Sequence, residues 1–350
     1  MADRLLSALI YSLPLLAHAS LGCSADSDED ATAGSESTAA SEATGAATSS
    51  PGGSDDNVDG TATGGEPMDT GDSTGDAMTG AQNDCATADL PSCPASPGAI
   101  SAQLADELLA NGSATALDVR GFEAYETQHV TDAGVLDAGD LRAMVDGVSG
   151  QVAPPQQAQM VFEAAGIGPN DALVVYGADN DTGTARVLWT LAYYGHTGKV
   201  WMLDGGLTEW TAQGYGVQMG AARGSSSVYA PVPVEALRVD AQWVLDHLDD
   251  PIVTLFDARS AEEYDYGHIP GAVSVDWGLN LGPDGLYLPA ADLAALYGEP
   301  AVDQTLVVYC QTGSRASVDW LVLTMLGYSD VRIYDGSWSE WSADPSNPQE

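Results

Sequence analysis

Lysine is almost missing from this sequence. Lys199 is the single lysine in 350 residues, and Lys and Arg together number 10 against 51 Asp and Glu, a formal net charge of -41. No basic residue lies between Cys23 and Arg120. Nucleic-acid phosphates are held by clustered positive charge, so this scarcity excludes a nucleic-acid partner. The acidity itself serves solubility. Cysteine is scarce as well, with four in the chain. Cys85 and Cys93 sit among turn residues with no histidine nearby, which excludes a zinc site there. In an oxidising compartment the two could close a small loop as a disulfide.

The N-terminus has the form of an export signal. Arg4 is followed by an apolar run over residues 5–17, interrupted by Tyr11, Ser12 and Pro14 and too short for an ordinary membrane span. Two processing routes stay open. Ser20-Leu21-Gly22-Cys23 resembles a bacterial lipobox, in which Cys23 is lipidated. Ala17-His18-Ala19 fits ordinary cleavage and would leave a secreted soluble protein. The Gly22-Cys23 pair followed by a long polar stretch favours the lipid anchor, placing the protein in the cell envelope, periplasmic or on the outer surface. Residues 24–95 are rich in Ser, Thr, Ala, Gly and acid and hold almost no large apolar side chain. Such a segment cannot offset chain entropy by burial, so it reads as a disordered tether. Within it, Asp55, Asn57, Asp59, Gly60 and Glu66 fit a calcium-loop pattern. No helical pattern flanks them and Ala62 stands where a bulky apolar residue packs, so no metal is assigned.

From residue 96 onward the sequence repeats. Ala116-Leu117-Asp118-Val119-Arg120 echoes Leu255-Phe256-Asp257-Ala258-Arg259. The run at 172–176 echoes 305–309, and Leu203-Asp204-Gly205-Gly206 echoes Tyr334-Asp335-Gly336-Ser337. Asp118 and Asp257 lie 139 apart, Tyr176 and Tyr309 133, and Trp210 and Trp341 131. A nearly constant offset marks a duplicated domain rather than a solenoid. The halves are assigned to residues 96–222 and 223–350, after a signal at 1–23 and the tether at 24–95.

Each half alternates strand and helix. Short β-branched runs at 252–256, 306–309 and 331–334 read as strands buried on both faces, with a helix at 316–326 stopped by Gly327. The first half repeats this with strands at 174–176 and 200–203 and a helix at 185–194. The order implies an α/β fold: two tandem domains, each a mainly parallel sheet flanked by helices, with right-handed crossovers.

Cys310 follows a strand directly, and Gln311, Thr312, Gly313, Ser314 and Arg315 lead from it into a helix. Ligands bind at the carboxyl ends of such strands. A helix N-terminus and a tight glycine loop offer N–H groups to an anion, which stabilises a thiolate or persulfide. Gly177 stands in the corresponding place in the first half, which therefore reads as non-catalytic, covering one side of the cleft.

With Asp257-Ala258-Arg259, Gly267-His268-Ile269-Pro270-Gly271-Ala272, the Cys310 to Arg315 loop and Asp335-Gly336-Ser337-Trp338 in this order, the chain resembles the tandem-domain rhodanese sulfurtransferases. The resemblance implies a sulfurtransferase that carries sulfur as a Cys310 persulfide. The donor would be thiosulfate or 3-mercaptopyruvate, and the acceptor a thiophile such as cyanide or a thiol. Cys310 is expected as the catalytic residue, and Arg259, Arg315, Gln311, Thr312, Gly313 and Ser314 as donor-binding residues. No cofactor is expected, and the protein is expected to act as a monomer, touching membrane only through its anchor. Arg259 could instead pair with Glu262 or Glu263, and Arg315 with Asp319. His268, Asp257, Trp338 and Trp341 read as structural. The loop is Cys-x4-Arg, one residue shorter than that of the Cys-x5-Arg phosphatases, and a smaller ring suits sulfur better than phosphate. A non-turnover sulfur carrier or a tethered binding module is the other alternative.

Overall fold

The computed structural model describes residues 97–221 and 227–350. The signal and Cys23, the tether, the calcium-loop pattern and the Cys85–Cys93 pair lie outside the described residues. No helix among the described residues is long and apolar enough to cross a membrane.

Two five-stranded sheets carry the fold, and their strand orders are equivalent. In the first half the spatial order is Gly98–Ile100, Val200–Leu203, Leu173–Tyr176, Thr115–Asp118, Gly134–Val135. In the second it is Arg238–Val239, Val331–Tyr334, Thr305–Tyr309, Val253–Asp257, Val273–Ser274. Every pairing within these two sheets is parallel.

Strand side chains alternate between faces, and the cores follow that period. Leu117, Val175, Phe256 and Val308 point into one apolar cluster that runs through both halves. Their neighbours Ala116, Val174 and Tyr176 enter a cluster private to the first half. Leu255, Val307 and Tyr309 enter one private to the second. The two halves thus share a core while each keeps its own. Helices Thr182–Tyr193 and Ala316–Met325 pack on each other across that shared core. Val187, Leu188, Leu191, Val318, Leu321 and Val322 are fully buried there. Each such side chain contributes about 1.5–3 kcal/mol of burial.

The repeat extends to side-chain detail where the first half lacks the Gly-His-Ile-Pro signature. His268 stacks on Tyr264 at 3.7 Å, and His129 stacks on Tyr125 at 3.5 Å. The hydroxyl of Tyr264 donates to Ala272 O and that of Tyr125 to Ala133 O, both at 2.6 Å. Ile269 and Val130 donate their backbone N–H groups to Tyr309 and Tyr176 hydroxyls. The turn at Gln128-His129-Val130 therefore keeps the scaffold of its counterpart.

Among the described residues, two antiparallel strand pairs lie outside these sheets, and one of them joins His129–Val130 to Val217–Gln218. An antiparallel hairpin, Arg142–Val145 with Val148–Val152, extends from the first half.

Candidate active site

Strand Thr305–Tyr309 ends at Cys310, at the carboxyl edge of the second sheet. The thiol is 1% exposed. Gly313 takes φ +86°, and a Cβ there would lie 2.7 Å from Asp335 Oδ1 and 2.9 Å from Arg186 Nη1. Only glycine fits both the backbone and the space. That turn sends the Gly313 N–H back onto Cys310 Sγ at 3.2 Å. Helix Ala316–Met325 starts just beyond, with its positive end toward the loop.

The segment after strand Val331–Tyr334 fixes the loop from the other side. The Cys310 N–H donates to Ser337 Oγ at 3.2 Å, and Cys310 O accepts from Trp338 N–H at 3.0 Å. Gln311 O accepts from Ser339 N–H and Oγ, and the Gln311 side-chain amide donates back to Ser339 Oγ. Ser337 holds φ +55° and hydrogen-bonds its hydroxyl to Tyr334 O. Thr312 and Ser314 are half-buried in the loop, and Ser314 O accepts the N–H of Ser317.

Arg315 reaches Glu263, with Nη1–Oε2 at 2.5 Å and Nη2–Oε1 at 2.8 Å. Asp319, the alternative partner named for Arg315, is buried with Asn280 and Tyr297 instead. Glu263 is set in place locally: Ser260 and Glu263 form a capping box on helix Ala261–Tyr266. The hydrogen bonds from Arg315 hold the Glu263 carboxyl down to about 2. The hydrogen bonds to Glu263 are the main cause of the raised Arg315 pKa, and the nearby Cys310 sulfur adds to it.

Arg259 is placed differently from expectation. It is 2% exposed and bound bidentately to Asp257, two residues back, with Nη2–Oδ2 at 2.6 Å. It also donates to Gly267 O and lies over the Trp338 ring. Neither Glu262 nor Glu263 is its partner. Its guanidinium braces the strand end through Nε and Nη2. Arg120 makes the same bond to Asp118 in the first half, where no nucleophile exists.

Two arginines that sequence reasoning did not select come from the first half. Arg186, in helix Thr182–Tyr193, is fully buried and bonds Asp335 Oδ1 at 2.6 Å. It also lies over the Trp189 ring. Asp335 further accepts the Val152 N–H at 2.7 Å and has Arg238 Nε at 3.6 Å. Arg142, on the hairpin, donates Nη2 to Thr312 Oγ1 at 3.1 Å and Nε to Gly150 O at 3.4 Å. Gly150 sits so close that a Cβ would meet Thr312 Cβ at 2.9 Å. The hairpin thus roofs the Cys310 loop.

The first half has no room for a nucleophile. A Cβ on Gly177 would meet Asp181 Oδ2 at 2.0 Å and Thr184 Oγ1 at 2.5 Å. Asp181 caps helix Thr182–Tyr193 and fills the place that Cys310 holds in the second half. Asn180, next to it, donates to Asp204 Oδ1 within the first half and to Gly285 O of the second.

The family described as "Rhodanese-like domain" matches residues 101–213 and 240–344. A "Probable 3-mercaptopyruvate sulfurtransferase" of Pseudomonas aeruginosa is 33% identical over 246 residues, covering 65% of this chain and 86% of that one. A "Putative thiosulfate sulfurtransferase" of Mycobacterium tuberculosis is 31% identical over 241 residues, covering 63% and 85%. The "Sulfur carrier protein TtuD" of Thermus thermophilus is 32% identical over 240 residues, covering 62% and 83%. Among solved structures, SseA from Escherichia coli superposes with a TM-score of 0.62 at 24% identity, covering 69% of this chain and 99% of that one.

Proposed function

The chain belongs to the rhodanese family, and from that premise we propose that it transfers sulfur through a persulfide on Cys310, with thiosulfate as donor. Sulfur transfer is the activity its relatives are named for, and the chain is a sulfurtransferase with two rhodanese-like domains. The observation that carries the Cys310 assignment is the Gly313 N–H directed at its sulfur at the mouth of a parallel sheet.

In the first half-reaction the Cys310 thiolate attacks the outer sulfur of thiosulfate. A new S–S bond forms, the donor's S–S bond breaks, and sulfite leaves with its electron pair. The outer sulfur stays on Cys310 as a persulfide anion, which the loop N–H and the helix end stabilise. In the second, a thiophilic acceptor such as cyanide or a thiol takes that sulfur and the thiolate is restored. 3-Mercaptopyruvate is the second donor reading. Arg259, one of the two charges expected to hold a dianion, is paired with Asp257. Release of sulfite and thiocyanate from thiosulfate and cyanide, run beside the same assay on 3-mercaptopyruvate, tests the assignment. A phosphatase would cleave an aryl phosphate and release no sulfite. A carrier would load once without turnover.

Arg315 closes the Cys310 loop and pairs with Glu263, so it is proposed to stabilise charge developing on the departing donor and on the bound sulfur. Arg315→Ala lowers kcat/KM for thiosulfate about tenfold or more, equivalent to about 1.4 kcal/mol. Arg315→Lys recovers part of this, because a point charge lacks the planar fork. Unchanged turnover in folded Arg315→Ala would leave the loop N–H groups as the main stabilisers.

The protein is further proposed to act as a monomer held in the cell envelope by lipid on Cys23. The Gly22-Cys23 pair after an apolar run supports this. Mass spectrometry of the mature N-terminus is expected to find a diacylated or triacylated Cys23. An unmodified chain beginning at Ser20 would assign it to the secreted soluble route.

A further inference from the structure

We propose that Arg142, on the hairpin of the non-catalytic half, is the residue that grips the anionic end of the sulfur donor. The inference rests on the sulfurtransferase reading and adds the residue that anchors the donor. It starts from how the arginines are spent. Arg120 is paired with Asp118, Arg186 with Asp335, Arg259 with Asp257, Arg315 with Glu263 and Arg332 with Asp330. Arg238 lies beside Asp335 and bonds Gln151. Among the described residues Arg142 is the one arginine with no carboxylate within ion-pair reach, and it stands at the Cys310 loop.

Its geometry suits an anion. Thr312 Oγ1 and Gly150 O take Nη2 and Nε, which holds the guanidinium plane against the loop while Nη1 has no partner. A planar fork fixed in this way offers its open edge to the two oxygens of a sulfonate or carboxylate. Burial and the like charge of Arg186 lower its pKa, whereas Cys310 and Asp335 act the other way. A bound anion would relieve that repulsion. The outer sulfur of a donor held by its anionic end at Arg142 would face the thiol beneath the hairpin. A single uncommitted guanidinium suits small donors with one anionic head, the class to which both thiosulfate and 3-mercaptopyruvate belong.

The test separates the two half-reactions by rapid mixing. In wild-type protein, persulfide formation is followed against thiosulfate concentration, and discharge of the loaded protein is followed with dithiothreitol. Arg142→Ala is expected to raise the half-saturating thiosulfate concentration about tenfold or more, while discharge changes by less than about twofold. Arg142→Lys should restore part of the affinity. Arg142→Gln keeps a donor for Thr312 but no charge, and should repeat the loss. Inhibition by added sulfite should weaken in parallel, which a purely structural arginine would not produce. Normal saturation and normal sulfite inhibition in folded Arg142→Ala and Arg142→Gln would overturn the anchor while leaving the persulfide chemistry intact. Failure of the wild-type protein to load sulfur at all would remove the functional reading, and this inference with it.

Discussion

Cys310→Ser is expected to abolish sulfur loading entirely. The persulfide adds one sulfur atom, about 32 Da, to a reactive thiolate, and serine cannot form the corresponding bond under these conditions. The loss should be complete because no other group among the described residues stands ready to take over. Cys310 is the free cysteine among the described residues. The equivalent place in the first half is closed, with Asp181 Oδ2 only 2.0 Å from where a side chain on Gly177 would begin. The substitution is nearly isosteric and keeps the backbone bonds to Ser337 and Trp338, so the variant should fold and unfold as wild type does. Intact-mass measurement after incubation with thiosulfate reads the result. A persistent added-sulfur species in Cys310→Ser would mean that another cysteine carries sulfur.

Arg186→Met should have the largest effect on stability. The Arg186 and Asp335 side chains are both fully buried and 2.6 Å apart, and they join the two halves. Removing one partner of a buried pair leaves an uncompensated charge, which typically costs about 3–5 kcal/mol. Arg238 at 3.6 Å and the Val152 N–H soften the loss, placing the expectation at about 3 kcal/mol. Urea denaturation measures it, as a lower midpoint with the slope preserved. Pairing the change with Asp335→Asn should recover part of the stability, since the orphaned charge is then gone. A single-variant loss below about 1 kcal/mol would show that Arg238 alone satisfies the carboxylate. Activity should fall too, because Arg186 Nη1 also lies 3.4 Å from Gly313 O.

Much of this arrangement was legible in the sequence. The parallel sheets, the duplicated order and the helix bounds follow from local runs of β-branched residues and from the repeat itself. Helix Thr182–Tyr193 starts three residues earlier than expected because Asp181 caps it, donating no apolar signal of its own. The loop from Cys310 to Arg315 was readable because everything that shapes it is contiguous. Arg142 and Arg186 were not, because their contacts span 170 and 149 residues. For Arg186 a signal existed: a lone charge within the apolar run Ala185 to Tyr193. For Arg142 no local pattern distinguishes it from any surface arginine. Arg259 is the opposite case, with its partner two residues away. Its Asp-x-Arg motif occurs in both halves, and its recurrence as Asp118-Val119-Arg120 beside a filled pocket marks the motif as a brace for the strand end. Arg315 and Glu263 are separated by 52 residues, so the sequence offered only Asp319, one helical turn away, as an alternative partner.

The carboxylates of the two repeat motifs each reach into the other half. Asp335 of the second takes Arg186 and the Val152 N–H, and Asp204 of the first takes the Tyr287 N–H. Asp335 is fully buried and Asp204 half-buried, and burial raises the Asp204 pKa. When the ancestral gene doubled, either copy was free to lose its nucleophile. Neither could be deleted once the exchange existed, because each supplies the donors that make the other's buried acid tolerable. Selection for a foldable chain is therefore enough to preserve the inactive copy through descent, without any demand from catalysis.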